Sequence, residues 1–407
     1  MVSSGLFYRR RKTRKYFRNA IIILSVIICW IYVYSAGSYE TDVKKIPKTG
    51  YENLHKLAPN TEEHTVNELN DTLKFAGNTD IIPYSRKQHG ILLKVWPTLD
   101  TREVHKRKLN FIPRQYPLEV DFSQLIQALL SGKKVENKAI NPHPFKYVHV
   151  AAEMCANKKL QLAILVKSKG SNFKMRRAIR RTWGNVTDMD TIVIFLLGDV
   201  PGLEANISAE SDLYKDIVQE DFIDSYSNNT LKTTMGFNWA SRFCPLAKFN
   251  LFIDDDVFLN LENVRKYIRR KGRQLGLMAG QLLRFSTPYR DHGTKWFVSW
   301  KDYPFDIYPP YLGGFFILTS QDVTWYLSAS IPYVKPIPID DAYIGIVAAK
   351  LGITLRSCPG LVRHMPGFAS HAAVDINFKS ILGFHLISSP ESLLATWNLY
   401  KNRNKVA

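Results

Sequence analysis

The chain is poor in cysteine. Its 407 residues include four, and no two of them form a Cys-x-x-Cys pair, which argues against a zinc-binding module. Acid is missing from the amino terminus, where Glu40 is the first acidic residue, while seven Arg or Lys (Arg9, Arg10, Arg11, Lys12, Arg14, Lys15, Arg18) crowd the first 18 positions. Alone, such an arm would suit nucleic acid or nuclear import. Charge of either sign is missing from Ala20 to Ala36, a 17-residue stretch containing IIILSVIICWIYVY. That length is at the short end for a membrane-spanning helix. The run and its basic arm both exceed what a cleaved signal peptide needs, although Ser35-Ala36-Gly37 could serve as a cleavage site. The basic flank therefore predicts a cytosolic tail at 1–19, an uncleaved signal-anchor at 20–36 with Trp30, Tyr32 and Tyr34 at the interface, and a lumenal remainder. A short span suits the thinner membranes of the early secretory path and the Golgi apparatus. There is no internal repeat.

What is present is enough apolar sequence, 45%, to bury at least one large core. Residues 37–145 are polar with scattered prolines and read as a stem, with Ile91–Trp96 and Phe122–Leu130 as segments able to pack on a domain at 146–407. The lumenal cysteines Cys155, Cys244 and Cys358 are odd in number, which predicts one disulfide of unknown pairing and one free thiol. Asn70, Asn185, Asn206 and Asn228 stand in glycosylation sequons. From Leu160 apolar runs alternate with helical periods: strands at 160–166 and 191–197, helices at 172–183, 205–217 and 230–243, then a strand at 249–254. A helix at 261–271, strands at 277–282 and 315–318, and helices at 320–331 and from Asp340 to Gly352 follow. This rhythm predicts an α/β fold on a mostly parallel sheet.

The apolar strand Phe249–Ile253 runs into Asp254-Asp255-Asp256. Three carboxylates at the carboxyl end of a strand repel one another and call for a cation, and hard oxygen ligands of that spacing suit Mn²⁺ or Mg²⁺ holding a diphosphate. The blander readings are a helix N-cap and a calcium loop. Lys174, Arg176, Arg177, Arg180 and Arg181 crowd one helix. Arg176 and Arg180 share a face, which reads as a phosphate clamp with Trp183 near enough to stack, or as a solvated basic face. Asp340-Asp341 opens a helix, where acids either stabilise the dipole or supply a general base to an acceptor hydroxyl. Tyr308-Pro309-Pro310-Tyr311 reads as an aromatic face for a sugar or as a packed hairpin, and His364 and His385 as metal ligands or ordinary histidines.

Taken in order, Arg176–Trp183, Phe195-Leu196-Leu197-Gly198, Asp221–Thr233, Cys244-Pro245, Asp254–Phe258, Lys295–Ser299, Tyr308–Tyr311 and Ile339–Ala342 resemble the motif series of the β-1,3-glycosyltransferases. The resemblance spans about Leu160 to Trp397. It implies a GT-A fold, type II Golgi topology, and inverting transfer from a UDP-sugar, UDP-galactose among the donors, with Mn²⁺ as cofactor and a glycan on protein or lipid as acceptor. By resemblance Asp254 and Asp256 hold the metal and diphosphate, and Asp255 lies with them against the donor. His385 is a further ligand, Asp341 is the base, and Arg176 and Arg180 lie near the nucleotide. Three positions depart from the family pattern: Phe252 for a lysine, Phe315 and Phe316 for glycine, and Asn229 for leucine. A non-catalytic lumenal chaperone or glycan-binding protein on the same fold is the rival reading, and it would be expected to lack the Asp-x-Asp acids.

Overall fold

The computed structural model describes residues 122–156, 158–271, 275–362, 377–385 and 387–405. The basic tail, the anchor with Cys29, the stem up to residue 121, Asn70 and His364 lie outside the described residues. No helix among those described is long and apolar enough to cross a membrane.

The centre is β2 (Leu162–Lys167), six residues buried on both faces, as an apolar run without alternation requires. It pairs in parallel with β3 (Thr191–Asp199) on one side and β5 (Phe249–Asp254) on the other. The chain thus winds outward from β2 in both directions, and the carboxyl ends of β2 and β5 form the switch point where open α/β sheets collect ligands. The full order is β1-β4-β3-β2-β5-β8-β7-β9, with β1 (Tyr147–His149), β4 (Ile217–Ile223), β7 (Met278–Leu283), β8 (Tyr311–Ser320) and β9 (Leu355–Ser357) completing it. The sheet is mixed: β3–β4, β2–β3, β2–β5 and β7–β9 pair in parallel, as expected from the sequence. The joints β1–β4, β5–β8 and β7–β8 are antiparallel, because β7 returns directly through a long aromatic loop as β8 without a crossover helix.

Two helical layers cover the sheet. α1 (Phe122–Leu130), α4 (Asn229–Arg242), α6 (Gln321–Ser330) and α7 (Asp340–Leu351) pack on one face with Ala163 and Leu165. α2 (Phe173–Arg180), α3 (Glu204–Tyr214), α5 (Leu261–Lys271) and α8 (Pro390–Lys405) lie on the other with Leu162, Ile164 and Val166. α7 ends at Gly352, whose φ of 69° is the left-handed cap a glycine provides. α1 belongs to this core: Phe122, Leu125 and Ile126 are buried in it, and Asn141 donates to Ile331 O and Tyr343 Oη. The segment Phe122–Leu130, expected to pack on the domain, does so. Helix 205–217 is shorter than expected. Lys215 at φ 56° stops α3, and Ile217 begins β4. Cys155 and Cys244 form the disulfide and Cys358 is a buried free thiol.

Candidate active site

The site begins where β2 and β5 end side by side. Their last residues, Lys167 and Asp254, are register partners. The buried Lys167 ammonium lies 3.0 Å from Asp254 Oδ1 and 2.8 Å from Asp340 Oδ2. Burial opposes its charge, but the two carboxylates outweigh burial and hold its pKa above the ordinary lysine range. Asp340, in the first turn of α7, also accepts from Thr233 Oγ1 at 2.7 Å. One ammonium thus joins the triple acid to the Asp340-Asp341 pair, two motifs that are far apart in the chain.

Asp341 is the more accessible member of its pair. Its Oδ1 accepts from Ala342 N at 2.7 Å and its Oδ2 from Gly314 N at 3.1 Å. Burial, and next the charge of Asp340, push it up to about 7. Gly314 packs closely here: a Cβ there would stand 3.3 Å from Asp341 Cβ and 3.4 Å from Lys167 Nζ, crowding both.

A second, three-stranded sheet delivers the remaining piece. β6 (Phe258–Leu259), β10 (Leu361–Val362) and β11 (Gly383–Phe384) pair in the order β10-β11-β6, with Phe384 opposite Phe258. His385 follows β11 and Ile387 N donates to Asp256 O, so the late histidine lands on the acids. Its Nε2 is 3.1 Å from Asp256 Oδ1 and 3.9 Å from Asp254 Oδ2. Ligand atoms of Asp254, Asp256 and His385 all lie within 4.8 Å of one another. Asp256 Oδ1 is buried with no hydrogen-bond donor, an arrangement that burial alone disfavours and a cation would satisfy. Burial, with the charges of Asp256 and Asp340, raises Asp254 to about 6 against the pull of Lys167. Two hard carboxylates and one imidazole fit a divalent ion such as Mn²⁺ or Mg²⁺ and leave coordination positions for phosphate and water. Phe315 stacks on the His385 ring, centroids 5.0 Å apart and planes 8° from parallel.

Asp255 does not join them. Its Oδ2 accepts from Ser168 Oγ at 2.7 Å and Asn172 Nδ2 at 2.9 Å, at the start of α2. Asn172, expected as a helix cap, makes no capping bond. Lys167, Ser168 and Asn172 carry no motif of their own, yet each is polar at or just after the end of an apolar strand, the one signal that marks them.

The arginines require a correction. Arg176 is completely buried and its donors go to Glu210, Ser168 Oγ, Lys169 O and Gly170 O. Arg180 pairs with Asp216 and Glu210, with Phe195 and Tyr214 rings at 4.6 and 3.9 Å. Burial works against Glu210, but the two guanidiniums hold its pKa below the usual range. The expected phosphate clamp is an internal tie between α2 and α3, and only Lys174, Arg177 and Arg181 form a solvated basic face. Arg176→Leu is expected to destabilise the fold by about 3–5 kcal/mol, because Glu210 would be left buried with half its partners. Thermal melting checks this, with UDP affinity of the folded fraction unchanged.

Other expectations also move. Trp183 is buried with Nε1 donating to Val257 O, so it does not stack a base. Phe252 is in the core, stacked on Phe237 at 4.1 Å, and does not line a pocket. Tyr308 is buried against Tyr303, the packed alternative for that segment. Asn185 and Asn206 are exposed, while the Asn228 amide donates to Ile223 O.

Residues 174–359 match the galactosyltransferase family model. The β-1,3-galactosyltransferase brn of Drosophila melanogaster is 36% identical over 312 residues, 74% of this chain and 90% of the relative. The human UDP-GalNAc:β-1,3-N-acetylgalactosaminyltransferase 1 is 36% identical over 210 residues, 50% of this chain and 63% of the relative. A solved galactosyltransferase LgtC, in complex with donor and acceptor sugar analogs, aligns at TM-score 0.32 and 11% identity over 58% of this chain and 95% of that one. On the sequence matches, with the acids in one place, the chain belongs to the β-1,3-glycosyltransferase family and is a hexosyltransferase of β-1,3 linkages.

Proposed function

We propose that the chain moves galactose or an N-acetylhexosamine, with inversion, from a UDP-sugar to the 3-hydroxyl of an acceptor glycan on a glycoprotein or glycolipid. One observation carries this reading. Lys167 bonds both Asp254 and Asp340, so the acids suited to a nucleotide diphosphate and the acid pair suited to an acceptor lie side by side.

Asp254, Asp256 and His385 would hold Mn²⁺. When bound, the ion supplies charge neutralisation to the diphosphate leaving group. The chain's own residues do the rest. Asp341, fixed by two backbone N–H groups, takes the acceptor proton as the new bond forms at the anomeric carbon. Asp340 keeps its charge because Lys167 and Thr233 bond it, and that charge helps keep Asp341 basic. Asp255, held by Ser168 and Asn172, is placed beside the start of α2, where a nucleotide's hydroxyls could bond it.

The same reading places the protein in the Golgi membrane as a single-pass type II protein. Its support is the basic arm ahead of the uncharged Ala20–Ala36 run. The sequons at Asn70, Asn185, Asn206 and Asn228 agree with a lumenal domain. The test is the full chain in detergent with UDP-galactose, UDP-GlcNAc and UDP-GalNAc, an acceptor panel, and Mn²⁺ or chelator. One donor is expected to give a metal-dependent β-1,3 product, read by methylation analysis of the linkage. Transfer that chelator leaves intact would refute the metal assignment.

A further inference from the structure

The loop between β7 and β8 carries large aromatic side chains that the core does not use. Phe285 is 70% exposed, Tyr289 55%, Trp296 40% and Trp300 56%. Tyr226, from the turn before α4, is 45% exposed beside them. Three of these five exposed rings, Tyr226, Trp296 and Tyr289, are linked through Lys295 and ring contact, more than the scattered apolar surface a protein ordinarily shows.

The loop that holds them is tied down. The Arg290 guanidinium donates to Val298 O, Tyr303 O and Phe305 O, and Trp300 lies over it at 3.8 Å. Val298 N donates to Tyr289 O, and Tyr308 N to Ser286 O. Phe285 sits at φ 58°, a left-handed conformation a bulky side chain rarely adopts, which presents its ring outward.

The rim also has a direction. Tyr226 is the end toward the acids: it lies in the turn that leads into α4, whose Thr233 hydroxyl donates to Asp340. The Lys295 ammonium lies 4.9 Å from the Tyr226 ring and 5.0 Å from the Trp296 ring, holding the two together. Tyr289 follows, its ring 5.4 Å from that of Trp296. Tyr226, Trp296 and Tyr289 are thus linked in series, starting from the turn before α4.

We propose that Tyr226, Trp296 and Tyr289 form the acceptor platform, an aromatic lip on which a neutral oligosaccharide of at least two pyranose units lies with its terminal 3-hydroxyl at Asp341. This rests on the transferase reading of the same site. The C–H faces of the sugars meet the rings, and the hydroxyls stay in water. Rigid aromatic rings offer such area at little entropic cost. A platform of this length discriminates by the second sugar, so a monosaccharide bearing the right hydroxyl binds poorly.

The test uses the full chain in detergent on an array of neutral glycans, in Mn²⁺ and UDP. Wild type is expected to retain a set of oligosaccharides and not their terminal monosaccharides. Trp296→Ala is expected to lose that signal at least tenfold, and Trp296→Tyr to recover most of it. UDP affinity, measured by calorimetry, is expected to be equal in all three. Equal retention by Trp296→Ala, or a wild type that binds UDP but no glycan, would overturn the platform. A wild type that binds neither UDP nor glycan would instead count against the donor reading. Trp296 is exposed on a loop, so its loss should leave the melting temperature in place.

Discussion

Asp341→Asn is expected to lower kcat about a thousandfold, within the range a positioned general base contributes, while UDP-sugar affinity stays within a factor of about two. The carboxylate bonds only backbone N–H groups and touches none of Asp254, Asp256 or His385, so its loss should spare the donor. An amide cannot take the proton, and the acceptor hydroxyl stays a poor nucleophile. The pH dependence has a definite sign. Burial and Asp340 raise Asp341 to about 7, and the working form is the charged one. Activity of wild type should therefore fall on the acid side of about pH 7, with unit slope in log kcat/KM. Stability runs the other way. A carboxyl whose pKa is raised in the fold contributes stability below its unfolded pKa and loses it as pH rises through the folded one. The melting temperature of Asp341→Asn should thus gain on wild type between about pH 4 and pH 8. A variant without this pH-dependent gain would show that the Asp341 carboxyl is not raised in the fold.

The second large effect concerns the cation. Asp256→Ala is expected to weaken Mn²⁺ binding more than a hundredfold and to remove transfer to the detection limit, since Asp256 Oδ1 faces His385 with no other partner. His385→Ala should cost less, about ten- to a hundredfold in Mn²⁺ affinity, because two carboxylates remain. Phe315→Ala should cost about tenfold. It removes the ring that fixes the orientation of the imidazole, and groups that orient ligands tune metal affinity on this scale. Electron paramagnetic resonance of free Mn²⁺ reads all three without turnover. Equal affinity across the series would show that the ion sits elsewhere.

Much of this site was legible as residue type and position. The acids at the end of an apolar strand, the acid pair opening a helix, and the late histidine all stand together in the fold. What sequence could not supply was partnership. The spacing of Arg176 and Arg180 fixes which face of α2 they share. Whether that face meets solvent or Glu210 and Asp216 depends on how α3 packs. Lys167 looks like the polar end of a strand until the register with β5 places it between two carboxylates. β4 escaped because its buried positions include Gln219 and Glu220, so no apolar run announces it, and Glu220 is satisfied by His143 and Tyr147 from a distant segment. α8 carried a usable signal, Pro390 in the first turn and Leu393, Trp397 and Tyr400 on one face. Phe252 reads as a departure from a family lysine, but its ring is simply part of the core.

The account turns on where the cation sits. Diffraction from the Mn²⁺–UDP complex, collected at the manganese absorption edge, locates it directly. A single anomalous peak bonded to Asp256 and His385, with the diphosphate on it and Asp341 facing the same cleft, is the predicted result. A peak away from those side chains, or UDP bound in the cleft with no metal and full transfer in chelator, would contradict it.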